Sequence, residues 1–209
     1  MTRGETRSII AGPAGALEIA LNAPLDVPGA AAHGIALVAH PNPQQGGTMD
    51  NKVAQTLART FAALGYVSIR FNFRGVGASE GMFDNGAGEA EDALAALGHA
   101  QREFPAHAAT PPVLAGFSFG AYVQTLVAQR VTPARMVLVG PAIKRFPVEA
   151  VASGTIVIHG EQDDVVPLAD VFDWARPQNL PIVVFPGCGH FFHGRLGQLQ
   201  QTIAGMWHA

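Results

Sequence analysis

From residue 34 onward the chain alternates short apolar runs with longer stretches of helical spacing, and that alternation leaves few architectures open. The apolar runs cover residues 34–39, 66–71, 112–115, 136–139, 155–159 and 182–185, and the helical stretches 50–64, 88–103, 119–130, 168–175 and 194–207. Short apolar strands separated by helix-length segments are the signature of βαβ units, in which buried parallel strands are joined by helical crossovers. Two earlier β-like stretches, 7–11 and 16–21, flank Gly12-Pro13-Ala14-Gly15 and predict an opening hairpin. Gly197 and Gly205 weaken the last helix without removing it. No internal repeat, low-complexity tract or long linker divides the sequence, so the expectation is one α/β domain over residues 1–209.

Composition supports this. An apolar share of 48% in 209 residues supplies a sizeable core, and only 14% of residues are charged, which excludes a disordered chain. The formal charge of -3 includes no run of like charge, so nothing marks a nucleic-acid or anionic-membrane surface, and small molecules are the expected partners. The single cysteine, Cys188, excludes an intrachain disulfide framework and fits a reducing compartment. The N-terminus has no apolar h-region, because Gly12, Pro13 and Gly15 interrupt it, and no run approaches the ~20 residues of a membrane span. An unprocessed, cytoplasmic protein is expected.

Gly116-Phe117-Ser118-Phe119-Gly120 stands between the buried run Val113-Leu114-Ala115 and the helical segment from Ala121. In a strand–turn–helix setting, flanking glycines let a serine turn sharply, lift its hydroxyl above the sheet and let strand and helix approach closely. The helix N-terminus behind Ser118 favours developing negative charge. A glycine-rich βα turn without chemistry is the plainer reading of the pentapeptide, and context favours a nucleophile. Serine is a poor nucleophile at neutral pH, so a base and an orienting carboxylate are required.

Candidates for both follow in chain order. His190, in Gly187-Cys188-Gly189-His190, lies in the loop after the last predicted strand, where a base belongs; of the 8 histidines, His193 is its nearest competitor but lies closer to the last helix. Asp163 and Asp164 follow the run ending at His159, and Asp163 is favoured as the acid, the alternative being that one or both cap the helix starting near Pro167. For an oxyanion hole, one donor is the Phe119 N–H and the second is the Asn42 N–H, since Pro41 and Pro43 on either side of it have no amide hydrogen. A rigid proline-rich turn is the alternative for that loop.

Five ordered blocks carry a family resemblance: His40-Pro41-Asn42-Pro43 with Gly46 to Lys52, Arg70-Phe71-Asn72-Phe73-Arg74-Gly75-Val76-Gly77-Ala78-Ser79, the Ser118 pentapeptide, Asp163 before Val166-Pro167, and Gly189-His190. Together they resemble the α/β-hydrolase superfamily, specifically its small, lidless bacterial-type serine hydrolases. The resemblance covers nearly the whole chain. It implies a mainly parallel eight-stranded sheet with helices on both faces, a Ser118–Asp163–His190 triad, and ester hydrolysis without a cofactor. The acid of that family matches the first aspartate of the Asp-x-x-Val-Pro block, here Asp163. The sequence departs from better-known lipases and esterases in having Pro41 where many place glycine after the histidine.

Other features point to structure. Phe73-Arg74-Gly75-Val76-Gly77 lacks the spacing of a phosphate-binding loop and reads as a tight turn; Arg74 is left unassigned between steering an anionic substrate and the commoner fate, a salt bridge to Glu80, Glu89 or another structural carboxylate. Cys188, two residues from His190, is read as packing, and no metal-ligand spacing is present. The stretch between Val139 and Thr155, where many relatives insert a cap, is too short for a helical domain, so an open cleft for small or short-chain esters is expected. Thioesters, amides, peptides and perhydrolysis remain open on the same residues, as does a binding module with an idle triad. The Phe-rich segments could support a homodimer.

Overall fold

The computed structural model describes residues 4–23 and 33–207. The reading of the N-terminus as unprocessed falls partly on residues 1–3, outside the described residues. Eight strands form one sheet: β1 (Thr6–Gly12), β2 (Gly15–Asn22), β3 (Ile35–Ala39), β4 (Val67–Phe71), β5 (Val113–Phe117), β6 (Arg135–Val139), β7 (Ile156–Gly160) and β8 (Ile182–Phe185). Their spatial order is β1-β2-β4-β3-β5-β6-β7-β8. The β1–β2 and β2–β4 pairs are antiparallel and every other pair is parallel, as expected of strands buried on both faces. This is the α/β-hydrolase fold without a lid.

Side chains alternate along the central strands and so build two cores. Ile35, Leu37 and Ala39 of β3 face α2 (Ala87–Glu103) and α3 (Phe119–Ala128), while Ala36 and Val38 face α1 (Lys52–Ala63) and α5 (Leu196–Trp207). Over β7, α4 (Leu168–Ala175) packs Val171 and Ala175 on Val157. Each such buried aliphatic or aromatic side chain contributes roughly 1.5–3 kcal/mol.

Element ends differ from the sequence expectation where local polar chemistry decides them. The opening turn reduces to Pro13 and Ala14, because Gly12 already pairs with Gly15. The first helix begins at Lys52 instead of residue 50: Asn51 caps it, its Oδ1 accepting from the Val53 and Ala54 N–H groups at 2.9 and 3.4 Å. The last begins at Leu196 instead of 194, since Gly194 is left-handed at φ 71°. Glu89 is buried, its carboxylate accepting the N–H groups of Asp84 (2.8 Å) and Gly86 (2.7 Å) at the start of α2.

Two features of the frame position the site. In the order β4-β3-β5 the chain reverses its direction of travel across the sheet, so the carboxyl ends of β3 and β5 open a crevice where loops leave toward opposite faces. Between β6 and β7 the chain forms no helix; it folds Phe146 onto Tyr122, with rings stacked at 5.0 Å and 14°, and against Phe119 at 4.9 Å. That aromatic contact pins the segment to α3, leaving the crevice uncovered.

Candidate active site

Ser118 follows β5 directly and starts α3, at φ 56° and ψ −115°. For a residue with a Cβ this is a strained backbone, of the kind that costs about 1–3 kcal/mol and survives only where its surroundings enforce it. Here they do. The Ser118 N–H is bonded to Val139 O at 2.9 Å, and a Cβ on Gly116 would lie 2.4 Å from the carbonyl of Gly120. A Cβ on Gly120 would lie 2.3 Å from Ala39 O. The two glycines allow β5, α3 and the end of β3 to meet around the serine.

The loops after β7 and β8 bring the other two side chains to it. His190 Nε2 lies 3.1 Å from Ser118 Oγ, and its Nδ1 lies 2.6 Å from Asp163 Oδ2. With Nδ1–H donating to the carboxylate, Nε2 is left to accept the serine proton. The other carboxylate oxygen of Asp163 accepts the N–H groups of Val165 (3.0 Å) and Val166 (2.7 Å). Asp163 thus ties down the turn before α4 but does not cap that helix, whose N-cap is Pro167 with no side-chain cap, and Asp164 is exposed. Burial alone would raise the Asp163 carboxyl, but the hydrogen bonds from His190 and Val166 outweigh it and hold its pKa below the usual carboxylate value.

His159, at the end of β7, adds a contact that the sequence reading missed. It is buried, its Nε2 bonds Val166 O at 2.8 Å and lies 3.4 Å from Asp163 Oδ2, and burial pushes its pKa down, so the ring is neutral. A polar residue closing an otherwise apolar strand at its carboxyl end was the available signal. His40, at the end of β3, was likewise given no task beyond its place in a motif. Its Nδ1 donates to Pro41 O at 2.7 Å and its Nε2 accepts the Phe73 N–H at 3.1 Å, which joins the Pro41–Asn42 loop to the turn after β4.

Asn42 and Phe119 line the cavity space around Ser118. The Asn42 side chain is turned inward to cap the following turn, Oδ1 accepting from Gln44 N–H at 2.9 Å, and among the described residues neither the Asn42 N–H nor the Phe119 N–H has an acceptor. The remaining candidates fall elsewhere. His193 lines a neighbouring cavity that shares Asn51 and Phe191 with the larger one at Ser118 but does not include the serine. Arg74 is engaged by Asp92, Nε and Nη2 at 3.0 and 2.9 Å, a structural carboxylate though neither of the two named for it. Cys188 is buried, its thiol pKa raised first by that burial.

The crevice at Ser118 opens into two adjoining cavities of about 220 and 70 Å³ that share Asn42, Gln45, Ser118 and Val165. His190 and Phe191 line the larger; Phe119, Phe146, Lys144 and Arg145 line the smaller. A strained serine after a central strand, with a histidine and a buried aspartate from later loops, defines a lidless α/β serine hydrolase. The chain belongs to that class and to the family described as X-Pro dipeptidyl-peptidase (S15 family), which matches residues 17–144. An uncharacterised protein of Rickettsia prowazekii, RP471, is 34% identical over 183 residues, covering 81% of this chain and 76% of its own. The fold is similar to an alpha-beta serine hydrolase homologue from Coxiella burnetii, with TM-score 0.84, 38% identity and 96% of each chain covered. It is also similar to XC6422 from Xanthomonas campestris, a serine hydrolase without lid, with TM-score 0.86, 34% identity, and 97% of this chain and 93% of that one covered.

Proposed function

We propose that the chain hydrolyses small or short-chain carboxylic esters through an acyl-enzyme on Ser118, with His190 as general base and acid, Asp163 orienting and stabilising the imidazolium, and the Asn42 and Phe119 amides binding the oxyanion. The observation that carries this reading is the continuous hydrogen-bonded series Asp163–His190–Ser118, ending on a strained serine beside two unengaged backbone N–H groups. Ser118 Oγ adds to the ester carbonyl carbon as its proton passes to His190 Nε2. The carbon–oxygen bond to the alcohol then breaks, and His190 returns that proton to the departing oxygen. Water adds next, giving a proton to His190; the bond to Ser118 breaks, the proton returns to Oγ, and a carboxylic acid leaves.

The family description names a dipeptidyl-peptidase, so the amide reading has to be weighed. An enzyme that removes dipeptides must hold the substrate's free ammonium group, and a buried or half-buried cation needs an opposing carboxylate. Among the described residues, no aspartate or glutamate lines either cavity at Ser118. This favours esters. The lone cysteine fits a reducing compartment, and we place the activity in the cytoplasm.

A fluorophosphonate probe followed by a panel of p-nitrophenyl esters and a Gly-Pro anilide tests the reading. Labelling that disappears in Ser118→Ala, with turnover of acetyl and butyryl esters, is the expected result. Folded protein that takes no label, or that cleaves the anilide far faster than the esters, would overturn it.

A further inference from the structure

The two cavities at Ser118 are chemically unequal, and the position of His190 sorts their occupants. When the tetrahedral intermediate collapses, the imidazole must reach the departing oxygen, so the leaving group lies on the imidazole side. That is the larger cavity, lined by His190 and Phe191. The acyl half is left with the smaller one, walled by Phe119, Ala142, Phe146 and Val166. At about 70 Å³ it admits only a few heavy atoms.

Its charged lining has one sign. Lys144 and Arg145 both line it, and among the described residues no carboxylate does. Lys144 leans toward Asp170 at 3.5 Å with its side chain 74% exposed. Arg145, like Arg59, Arg102, Arg135 and Arg195, has no carboxylate within 4 Å among the described residues, and it is the one of these that lines a cavity at Ser118. In a chain of net charge -3, a free guanidinium and a loosely held ammonium together at the rim of a small apolar acyl pocket are a receptor for a negative charge a few bonds from the scissile carbonyl.

We propose that the preferred acyl group ends in a carboxylate, so that the substrates are monoesters of short dicarboxylic acids and the products are an alcohol and the dicarboxylate. Lys144 and Arg145 determine this specificity, Arg145 foremost. The inference rests on the ester reading above and narrows it to one substrate class.

The test compares a matched pair with the same leaving group, p-nitrophenyl valerate and the p-nitrophenyl monoester of glutaric acid. At low salt, kcat/KM for the monoglutarate should exceed that for the valerate by about three- to tenfold, the range of one partly exposed ion pair with a second cation nearby. Molar sodium chloride should compress the ratio. Arg145→Glu should invert it, and Lys144→Ala with Arg145→Ala should bring it to about one, with thermal unfolding confirming that these surface variants fold. A valerate turned over as fast as the monoglutarate, or a ratio indifferent to the Arg145 variants, overturns the inference and leaves the ester reading standing. No turnover of either ester, with Ser118 unlabelled by fluorophosphonate, defeats the ester reading itself.

Discussion

His40 shows how much a single buried side chain contributes to this site. It is fully buried, and both ring nitrogens are used by the neutral form, one donating to Pro41 O and the other accepting the Phe73 N–H. A second ring proton would point at the Phe73 N–H, so protonation means losing that bond and burying a charge. Burial accordingly pushes the His40 pKa down from 6.5 to about 3, against a smaller upward pull from the Pro41 carbonyl. Between those two values the unfolded chain binds a proton that the folded chain refuses, so stability is fully present above about 6.5 and falls as pH drops toward 3. At pH 4.5 the loss amounts to roughly 2–3 kcal/mol. Urea unfolding at pH 7.5 and 4.5 checks this: His40→Gln should be less stable at pH 7.5 yet lose distinctly less on acidification. Equal acid sensitivity of the two proteins would refute it. His159, whose pKa burial also lowers from 6.5, adds a loss of the same sign inside this window that both proteins share, whereas Asp163 adds one only below the ordinary carboxylate value of 3.8.

The unit β5–Ser118–α3 depends on close approach. Ala39 of β3 pairs with Gly116 of β5, and α3 descends onto both so tightly that a methyl group on Gly120 would lie 2.3 Å from Ala39 O and 2.5 Å from His40 O. Neither neighbour is the end of a flexible side chain, so relief requires the helix to lift from the sheet. Gly120→Ala is therefore expected to destabilise the fold by more than ~2 kcal/mol and to lower turnover through a displaced Ser118, read by chemical denaturation and by single-turnover acylation. Full stability in that variant would show that the helix has room. These elements were legible because each is announced locally: short, mostly apolar runs made the strands, and Gly-x-Ser-x-Gly needs only its own flanks to become a turn. Asp163 and His190 were legible because each follows a strand in this sheet's order. His40 was not, since its partner Phe73 meets it only when the loops after β3 and β4 converge, and His159 was not, since Asp163 and Val166 reach its ring only when the loop that follows its own strand folds back over the strand end. The same holds for Lys144 and Arg145, read as part of a short connection and placed at the crevice by Phe146 stacking on Tyr122.

On the scale of the whole molecule, the connection between β6 and β7 decides what reaches Ser118. It forms no helix, and its Phe146 is held between Tyr122 and Phe119. Closure over the crevice would have to break that aromatic cluster, whose contacts contribute about 0.5–1.5 kcal/mol per pair beyond their buried area. A long acyl chain would gain little here: beyond the roughly 70 Å³ behind Phe119, further methylenes run over open surface, where they forfeit most of the ~0.8 kcal/mol that each gains when buried. Among neutral p-nitrophenyl esters, kcat/KM should thus peak between acetyl and butyryl and decline from hexanoyl onward. With no lid to open, the rate should also show no jump as substrate passes its solubility limit. Rates across an acyl series from C2 to C12, run below and above that limit, measure both. A rise toward the C8–C12 esters, or a jump at the limit, would mean that an apolar surface forms over Ser118 in solution.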